Sequence, residues 1–207
     1  MSEKTVKPSP RKLKKAKDKG FRARSAFKLE EIQQRFHLLK PGQKVVDVGC
    51  APGSFLQYAA KIVGSKGFLV GFDIKPVANF NNPLIKTYVA DVLEDNVVAL
   101  ISQHFTEADL IVSDIAPNTC GIRDVDHGRS IALNRAILKV ASHVLRQGGN
   151  LLLKVFDGKE FPGFVKDLQQ CFESVRVVKP EASRDRSREV YVVCLKLIWK
   201  APGRSSE

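Results

Sequence analysis

Short apolar runs alternate with longer amphipathic segments along most of the chain. The short runs are rich in Val, Ile and Leu, as buried strands are, whereas the longer segments repeat apolar residues every three or four positions, as one face of a helix requires. The pattern predicts helices over residues 24–39, 54–63, 95–105, 129–145 and 161–172, and strands over 44–48, 67–72, 85–89, 109–112, 150–156, 174–178 and 189–198.

The order of these elements predicts the fold class. Strands that alternate with helices pair in parallel, and the connecting helices cover both faces of the sheet, so we expect an α/β, Rossmann-like, mostly parallel sheet. Only residues 179–188 separate the last two strands, and that segment is too short for a crossover helix. One of these two strands should therefore run antiparallel to its neighbour.

The composition is that of one domain with its own hydrophobic core. Hydrophobic residues make up 43% and charged residues 27% of the 207 residues, which argues against a disordered chain and a disulfide-stapled fold. We expect the domain to span residues 21–200, between flexible segments at 1–20 and 201–207. No apolar run approaches the roughly 18 residues of a membrane span, and no signal-peptide core is evident, so a cytoplasmic protein is expected. A monomer is expected because the pattern shows no surplus apolar face. The four cysteines lack zinc-ligand spacing, and no metal site is expected.

The basic charge is concentrated at the start of the chain. The formal net charge is +12, and residues 1–40 hold 13 basic against 4 acidic side chains. Such a cluster favours a nucleic acid as partner, because binding releases condensed counterions, although residues 1–20 alone fit a solubilising tail equally well. The predicted phosphate contacts are Lys12, Lys14, Lys15, Arg22, Arg24, Arg184, Arg186 and Arg188.

The first predicted strand runs into a tight turn bounded by glycines. This turn, Gly49 to Gly53, has the spacing G-x-x-x-G rather than the G-x-G-x-x-G that brings backbone amides against a pyrophosphate, and Pro52 lacks an amide hydrogen. In doubly wound sheets such a turn lies at the carboxyl edge, where ligands bind. A dinucleotide is therefore disfavoured, and S-adenosylmethionine, which has no pyrophosphate, fits better.

Four predicted strands finish in an aspartate. Asp73 is placed to accept hydrogen bonds from a ribose diol, and Asp91 is placed to meet the edge of an adenine. An aspartate taken alone is more often a helix cap or a loop residue, but four at one edge suit a ligand with a diol, an amino group and a sulfonium charge. The predicted cofactor contacts are Asp47, Gly49, Ala51, Pro52, Gly53, Ser54, Phe55, Asp73, Ile74, Asp91, Val92 and Asp114.

Lys154 interrupts an otherwise apolar strand, LLLKVF. Burial disfavours an ammonium group, so this lysine must be paired, extend its amine to water or serve the chemistry. A lysine that protects an edge strand is the alternative, but so apolar a run is typical of a central strand. Lys28, on the first helix, and Glu189, at the start of the last strand, are weaker candidates, because such side chains are ordinarily solvated.

Five motifs occur in order along the chain: RSAFKLEEI, VDVGCAPGSF, SDIAPNTCG, LLLKVF and RSREVYVV. Together they resemble the FtsJ-type ribosomal RNA 2′-O-ribose methyltransferases over residues 22–193. The resemblance implies a class I methyltransferase sheet in which strand 7 lies antiparallel beside strand 5. It implies S-adenosylmethionine as methyl donor, S-adenosylhomocysteine as product, and a uridine ribose in the A-loop of large-subunit ribosomal RNA as substrate. One departure is Ser54, where the family often has a glycine.

The resemblance also implies a catalytic tetrad of Lys28, Asp114, Lys154 and Glu189. Lys154 is the candidate base, with Lys28 as a second cation and with the two carboxylates orienting the amine. Alternatively, Lys154 steers the ribose hydroxyl and the proton leaves late to water. On the sequence alone, a methyltransferase for tRNA, an mRNA cap, a small molecule or a protein, and a non-catalytic RNA-binding assembly factor, stay open.

Overall fold

The computed structural model describes residues 19–181 and 188–198 of the chain. Its helices are α1 (Ala26–Phe36), α2 (Ser54–Val63), α3 (Val97–Ser102), α4 (Arg123–Val144) and α5 (Phe161–Cys171), and a 3₁₀ turn over Gly64–Lys66 follows α2. Its strands are β1 (Lys44–Val48), β2 (Phe68–Asp73), β3 (Ile85–Val89), β4 (Ala108–Ser113), β5 (Leu145–Phe156), β6 (Phe172–Val178) and β7 (Glu189–Leu197).

The strands form one sheet in the order β3-β2-β1-β4-β5-β7-β6. The pairs from β3 to β5 are all parallel, whereas β7 lies between β5 and β6 and runs antiparallel to both. The predicted α/β sheet with an antiparallel last strand is therefore confirmed. The strand order reverses between β1 and β4, and in open α/β sheets such a switch point opens a crevice at the carboxyl edge.

The helices cover both faces of the sheet. α1 and α2 pack on one face, against Val45 and Leu152, while α3, α4 and α5 pack on the other, against Val46 and Ile111. Successive strand residues point to opposite faces, so strands covered on both sides require the near-continuous apolar runs seen in the sequence. Lys154 lies two residues after Leu152 and therefore faces α1.

α4 begins six residues earlier than predicted, at Arg123 rather than at residue 129. Gly128 and a polar first turn conceal the helical pattern, since a glycine weakens a helix by about 1 kcal/mol relative to alanine. The helix start is stabilised instead by the carboxylate of Asp126, which accepts hydrogen bonds from the backbone amides of Cys120 and Gly121 at 2.8 and 3.1 Å. These contacts also fix the loop that follows β4.

Other elements also differ from their predicted bounds, and α1, α3 and β5 differ by three residues or more at one end; α1 spans Ala26–Phe36 rather than 24–39. α3 is shorter than the predicted 95–105, and only Val97 and Ile101 of this helix are buried. β5 begins at Leu145 rather than at residue 150. Its first part contains Gly148 at φ +74° and a shift in the register with β4, an irregularity that a period-two pattern does not reveal.

Several predictions concern residues outside the described ranges. Most of the predicted tail at 1–20, the predicted flexible end at 201–207, and five of the predicted phosphate contacts lie there, so these and the domain limits stay predictions. The five contacts are Lys12, Lys14, Lys15, Arg184 and Arg186. Within the described ranges, no helix is both long and apolar enough to cross a membrane.

Candidate active site

Lys154 and Asp114 form a buried ion pair where β4 and β5 separate. The last parallel pair between these strands joins Ser113 and Leu153, so the next residue of each strand is Asp114 and Lys154. The Lys154 Nζ lies 3.0 Å from Asp114 Oδ1 and also donates to the Asp114 backbone carbonyl. Only 6% of the Lys154 side chain is exposed. The lysine is thus paired rather than extended to bulk water.

A second ion pair, between Lys28 and Glu189, lies beside the first. Lys28 projects from α1, Glu189 begins β7, and the Lys28 Nζ lies 3.1 Å from Glu189 Oε2. The Lys28 side chain is 7% exposed, whereas Glu189 is 26% exposed. Since β7 is paired with β5, this carboxylate sits at the same edge as Lys154. The structure therefore brings together all four side chains of the predicted tetrad.

Tyr191 is a fifth polar member of this cluster that the sequence analysis does not include. It lies opposite Lys154 on β7, is fully buried, and its hydroxyl donates a hydrogen bond to Asp114 Oδ1. The Lys28 Nζ stands 5.4 Å from the centre of its ring. Tyr191 comes two residues after Glu189, and a strand places alternate residues on one face, so the sequence carried a signal for it. However, a tyrosine in an apolar strand is also typical of an ordinary core residue.

The two cations keep both carboxylates ionised. Burial raises the pKa of Asp114, but the charges of Lys154 and Lys28 more than offset this effect, so the pKa lies below its usual value. The same holds for Glu189, where Lys28 and Lys154 outweigh burial. Burial and the nearby Asp114 raise the pKa of Tyr191 well above its usual value, so its hydroxyl stays a donor. Two cations and two anions thus share one partly enclosed site.

A cavity of about 360 Å³ opens beside the tetrad at the carboxyl edge of the sheet. Asp114 lines it, so the cavity and the tetrad share a side chain. This volume is in the range of small-molecule sites. Seven of the twelve predicted cofactor contacts line the cavity: Gly49, Ala51, Asp73, Ile74, Asp91, Val92 and Asp114.

The turn after β1 shapes one wall of this cavity. Asp73, at the end of β2, accepts hydrogen bonds from the backbone amides of Ala51 and Lys75 at 3.0 and 2.9 Å. Gly49 has φ +73°, and a Cβ there would lie 2.7 Å from the Cβ of Ile115, so only glycine fits this close approach. The turn is therefore held in place by β2 and by the loop after β4.

The sequence as a whole matches known methyltransferases. A family model described as FtsJ-like methyltransferase matches residues 21–197. The chain belongs to this family. The resemblance seen in the five motifs is confirmed, and the protein is a methyltransferase.

Relatives of the FtsJ-like methyltransferase cover nearly its whole length. A protein named ribosomal RNA large subunit methyltransferase E from Desulfatibacillum aliphaticivorans is 44% identical over 184 residues, which is 86% of both chains. Its namesake from Myxococcus xanthus is 42% identical over 194 residues, covering 93% of this chain and 91% of the relative. A crystal structure described as a ribosomal RNA methyltransferase from Plasmodium falciparum superposes with a TM-score of 0.76 at 26% identity, over 86% of this chain and 98% of that chain.

The other five predicted cofactor contacts of this methyltransferase do not line the cavity: Asp47, Pro52, Gly53, Ser54 and Phe55. Phe55 is packed in the core with α1 and α2, and the Ser54 hydroxyl lies 2.6 Å from that of Ser25. Ser54 and Phe55 therefore support the Gly49–Gly53 turn by packing, without lining the cavity. The contacts of Ser54 and Phe55 with a cofactor stay predictions. The family often has a glycine where this chain has Ser54, and the hydroxyl of Ser25, in the N-terminal segment, accommodates the serine.

Asp47 lies under the turn, on β1, and is 1% exposed. Neither of its carboxylate oxygens has a hydrogen-bond partner of acceptable geometry among the described residues. Burial is the largest cause that raises its pKa well above the usual value, followed by the charges of Asp114 and Asp73. The Leu56 backbone amide acts in the opposite direction and lowers this pKa, but its effect is the smallest of the four. Asp47 is thus a buried acid that favours its neutral form in the folded chain.

Arg22 makes contacts different from those that the sequence suggests. Its guanidinium donates to the carbonyls of Pro52, Ala78 and Asn79 at 3.2, 2.7 and 2.8 Å, and it stacks 3.6 Å from the centre of the Phe80 ring. These bonds tie the N-terminal segment to the turn and to the loop after β2. The predicted phosphate contact would have to compete with them. The predicted contacts of Arg24 and Arg188 stay predictions.

Proposed function

We propose that this methyltransferase transfers a methyl group from S-adenosylmethionine to the 2′-hydroxyl of a uridine ribose in the A-loop of large-subunit ribosomal RNA. The observation that carries the proposal is the Lys154–Asp114 pair, which is buried, backed by a second lysine and a second carboxylate, and open to the cavity through Asp114. The names of the relatives, ribosomal RNA large subunit methyltransferase E, support ribosomal RNA as the substrate class.

The residues that line the cavity fit S-adenosylmethionine. Asp73 uses each carboxylate oxygen for one backbone amide, and each keeps a lone pair for a ribose hydroxyl. Asp91 follows β3 and is placed for an amino group, while the apolar Ile74 and Val92 offer flat contacts for an adenine. Together with Asp114, these carboxylates favour a cationic ligand. When bound, the cofactor supplies a methyl group activated by a positive sulfur.

Lys154 provides one position for the reacting hydroxyl. Its Nζ donates a hydrogen bond to the Asp114 carbonyl and lies 3.0 Å from Asp114 Oδ1. A neutral amine then keeps its lone pair free to accept the proton of a ribose hydroxyl, whereas an ammonium keeps a hydrogen that can only steer the hydroxyl oxygen. We propose the neutral amine as the base: Nζ would take the proton of the 2′-oxygen as that oxygen bonds to the methyl carbon, whose bond to sulfur would break and release S-adenosylhomocysteine.

The remaining members hold this amine in place. Asp114 fixes Lys154 and is itself fixed by the Tyr191 hydroxyl. Lys28 adds a second positive charge to the site, and Glu189 balances this charge from 3.1 Å away. Positioning the oxygen, the carbon and the sulfur in line is the larger part of the work, because the methyl group is already strongly electrophilic.

RNA should reach this site through contacts to its phosphates. We propose Arg24 and Arg188, at the tetrad end of the sheet, and the predicted basic residues outside the described ranges as contacts that position the RNA without reading its sequence. The affinity should then fall linearly on a logarithmic salt scale, with a slope of about −0.7 for each neutralised phosphate of a single strand. Binding that is indifferent to salt would contradict this part of the proposal.

A transfer assay tests the proposed function. Calorimetry first establishes binding of S-adenosylmethionine, and labelled methyl groups are then offered with undermethylated large ribosomal subunits, free large-subunit RNA, tRNA and capped mRNA. We expect label in the large-subunit RNA, with the assembled subunit as the better substrate and a monomer as the acting form. Label in tRNA or in a cap would instead identify a different substrate, and RNA binding without transfer would indicate an assembly factor.

A further inference from the structure

The end of β5 extends beyond its neighbour β4. Parallel pairing between the two strands stops at Ser113 and Leu153, whereas antiparallel pairing with β7 continues to Phe156 and Glu189. The backbone groups of Lys154 and Phe156 that face away from β7 therefore have no strand beside them. Buried backbone donors and acceptors are costly when unpaired, so these groups need partners from elsewhere.

Helix α4 supplies these partners with three side chains, which we call the α4 ladder: His127, Ser130 and Asn134. The Asn134 Nδ2 donates to the Lys154 carbonyl at 3.0 Å, and the Phe156 amide donates to the Ser130 Oγ at 3.1 Å. The His127 Nδ1 lies 2.8 Å from the Phe156 carbonyl. The spacing of three and then four residues places the ladder on one face of the helix. The ladder therefore provides the hydrogen-bond partners of β5 beyond the end of β4.

The ladder is buried and its geometry is tightly determined. Its three side chains are 0–3% exposed. The Glu160 amide donates to the His127 Nε2 at 2.9 Å, so the ring hydrogen is on Nδ1 and is donated to Phe156. A Cβ at position 158 would lie 2.6 Å from the His127 ring, so only glycine at this position leaves room for the ring.

We propose that the α4 ladder positions Lys154 and Glu189 for methyl transfer. The inference rests on the proposed function of the tetrad. Because Lys154 and Phe156 are held by α4, the amine of Lys154 stays against Asp114 although β4 has already turned away. Phe156 is paired with Glu189, so the same contacts set the start of β7. None of the three ladder residues touches the reacting atoms, and each acts through the backbone of β5.

Variants of the ladder test this role against a control in the same helix. Ser130→Ala and Asn134→Ala each remove one rung, and Ser130→Thr keeps the acceptor oxygen. Val140→Ala removes buried apolar contacts of α4 that lie outside the ladder. Thermal midpoints show how far each variant is destabilised. The measurements are kcat, KM for ribosomal RNA, the dissociation constant of S-adenosylmethionine, and hydrogen exchange at the Phe156 amide.

We expect a ladder variant to lose kcat by roughly tenfold to a hundredfold, because a small misplacement of a reacting group costs rates of this order. KM and cofactor affinity should stay within about twofold, exchange at Phe156 should accelerate, and Ser130→Thr should recover most of the rate. The Ser130→Ala variant, which deletes a single oxygen, keeps the test open if Asn134→Ala does not fold.

Two kinds of failure are distinguishable. If Ser130→Ala loses no more kcat than Val140→Ala at a comparable thermal midpoint, the ladder is only structural and the inference is overturned, while the proposed function stands. If the wild-type protein binds S-adenosylmethionine but transfers nothing to ribosomal RNA, the proposed function fails, and with it the positioning role.

Discussion

Lys154 is held by the carbonyl and by Oδ1 of Asp114, which leaves one position of the amine for substrate. If that position is a lone pair, the neutral amine is the reactive form and kcat rises with pH. If the position is a hydrogen that steers the hydroxyl, the charged amine is the reactive form and kcat falls with pH. We expect the rise, measured as kcat at saturating substrates across the pH range in which the protein stays folded.

Tyr191 provides a second test at the level of one atom. Tyr191→Phe removes the hydroxyl that donates to Asp114, one of the causes that lower the pKa of that carboxyl, so this pKa should rise. The titration of the Asp114 carboxyl, followed by nuclear magnetic resonance, should therefore move to higher pH in the variant. An unchanged titration would show that the hydroxyl only packs. Cofactor affinity serves as the control and should not change.

The residues of the tetrad differ in how far the sequence revealed them. Lys154 stood out because a lysine in an apolar strand requires an explanation, whereas Lys28 and Glu189 looked like ordinary solvated residues and were assigned only through the resemblance. Tyr191 was missed because a tyrosine suits a buried strand without any further role. Asp114 and Lys154 follow each other across neighbouring strands but are 40 residues apart in the sequence, and Lys28 and Glu189 are 161 residues apart.

The elements with clear ends were predicted closely. β1, α2 and β3 have the predicted bounds, and glycine turns enclose β1 and the start of α2. The start of α4 was wrong because Asp126 stabilises it through the amides of a preceding loop, a contact that has no local pattern. The α4 ladder could not be predicted for a related reason. Polar residues on one face of a helix indicate a solvent-facing side unless it is known that the neighbouring strand stops early.

The N-terminal segment before α1 is joined to the cofactor turn by Arg22. Arg22→Ala removes three hydrogen bonds and the contact with Phe80, and it leaves the Pro52 carbonyl without that donor. We expect the affinity for S-adenosylmethionine to fall by about tenfold, the loss that corresponds to one or two hydrogen bonds, while the salt slope of RNA binding stays unchanged.

Arg24→Ala is the matched control for Arg22. If Arg24 meets a phosphate, this variant reduces the salt slope of RNA binding by about one contact and leaves cofactor affinity intact. The reverse result, in which Arg22→Ala changes only the salt slope, would restore Arg22 as a phosphate contact. Calorimetry with the cofactor and a salt titration with RNA give both quantities.

Across the whole molecule, the carboxyl edge of the sheet collects acidic groups that repel one another. Asp47, Asp73 and Asp114 are close enough for the last two to raise the pKa of Asp47, in addition to its burial. Four strands that end at one edge made this clustering predictable from the order of the elements. The degree of burial was not predictable, because it depends on how α2 closes over β1.

Asp47 should make the unbound protein less stable as pH rises. Its pKa is about 3.8 when unfolded and well above that when folded, so between the two values the folded chain holds a proton that the unfolded chain has released. Stability from this group is full below the lower value and is lost as pH rises toward the higher one. Asp47→Asn removes this loss, so its advantage over wild type should grow as pH rises above the pKa of the unfolded chain.

Denaturant unfolding without cofactor measures this difference. Asp95→Asn is a suitable control, because the Asp95 side chain is 94% exposed and its contribution should not vary in the same way. Parallel stability curves for wild type and Asp47→Asn would contradict the assignment of Asp47 as a buried acid that is neutral when folded.

The central claim is that the amine of Lys154 activates a ribose hydroxyl. It is tested most directly by single-turnover transfer of a labelled methyl group to undermethylated large subunits, followed by nucleoside analysis of the RNA. The expected product from the wild-type protein is 2′-O-methyluridine, and Lys154→Ala should bind S-adenosylmethionine nearly as well but form this product about 10²–10⁴ times more slowly or not at all. A label on a base, or near wild-type transfer by Lys154→Ala, would contradict the claim.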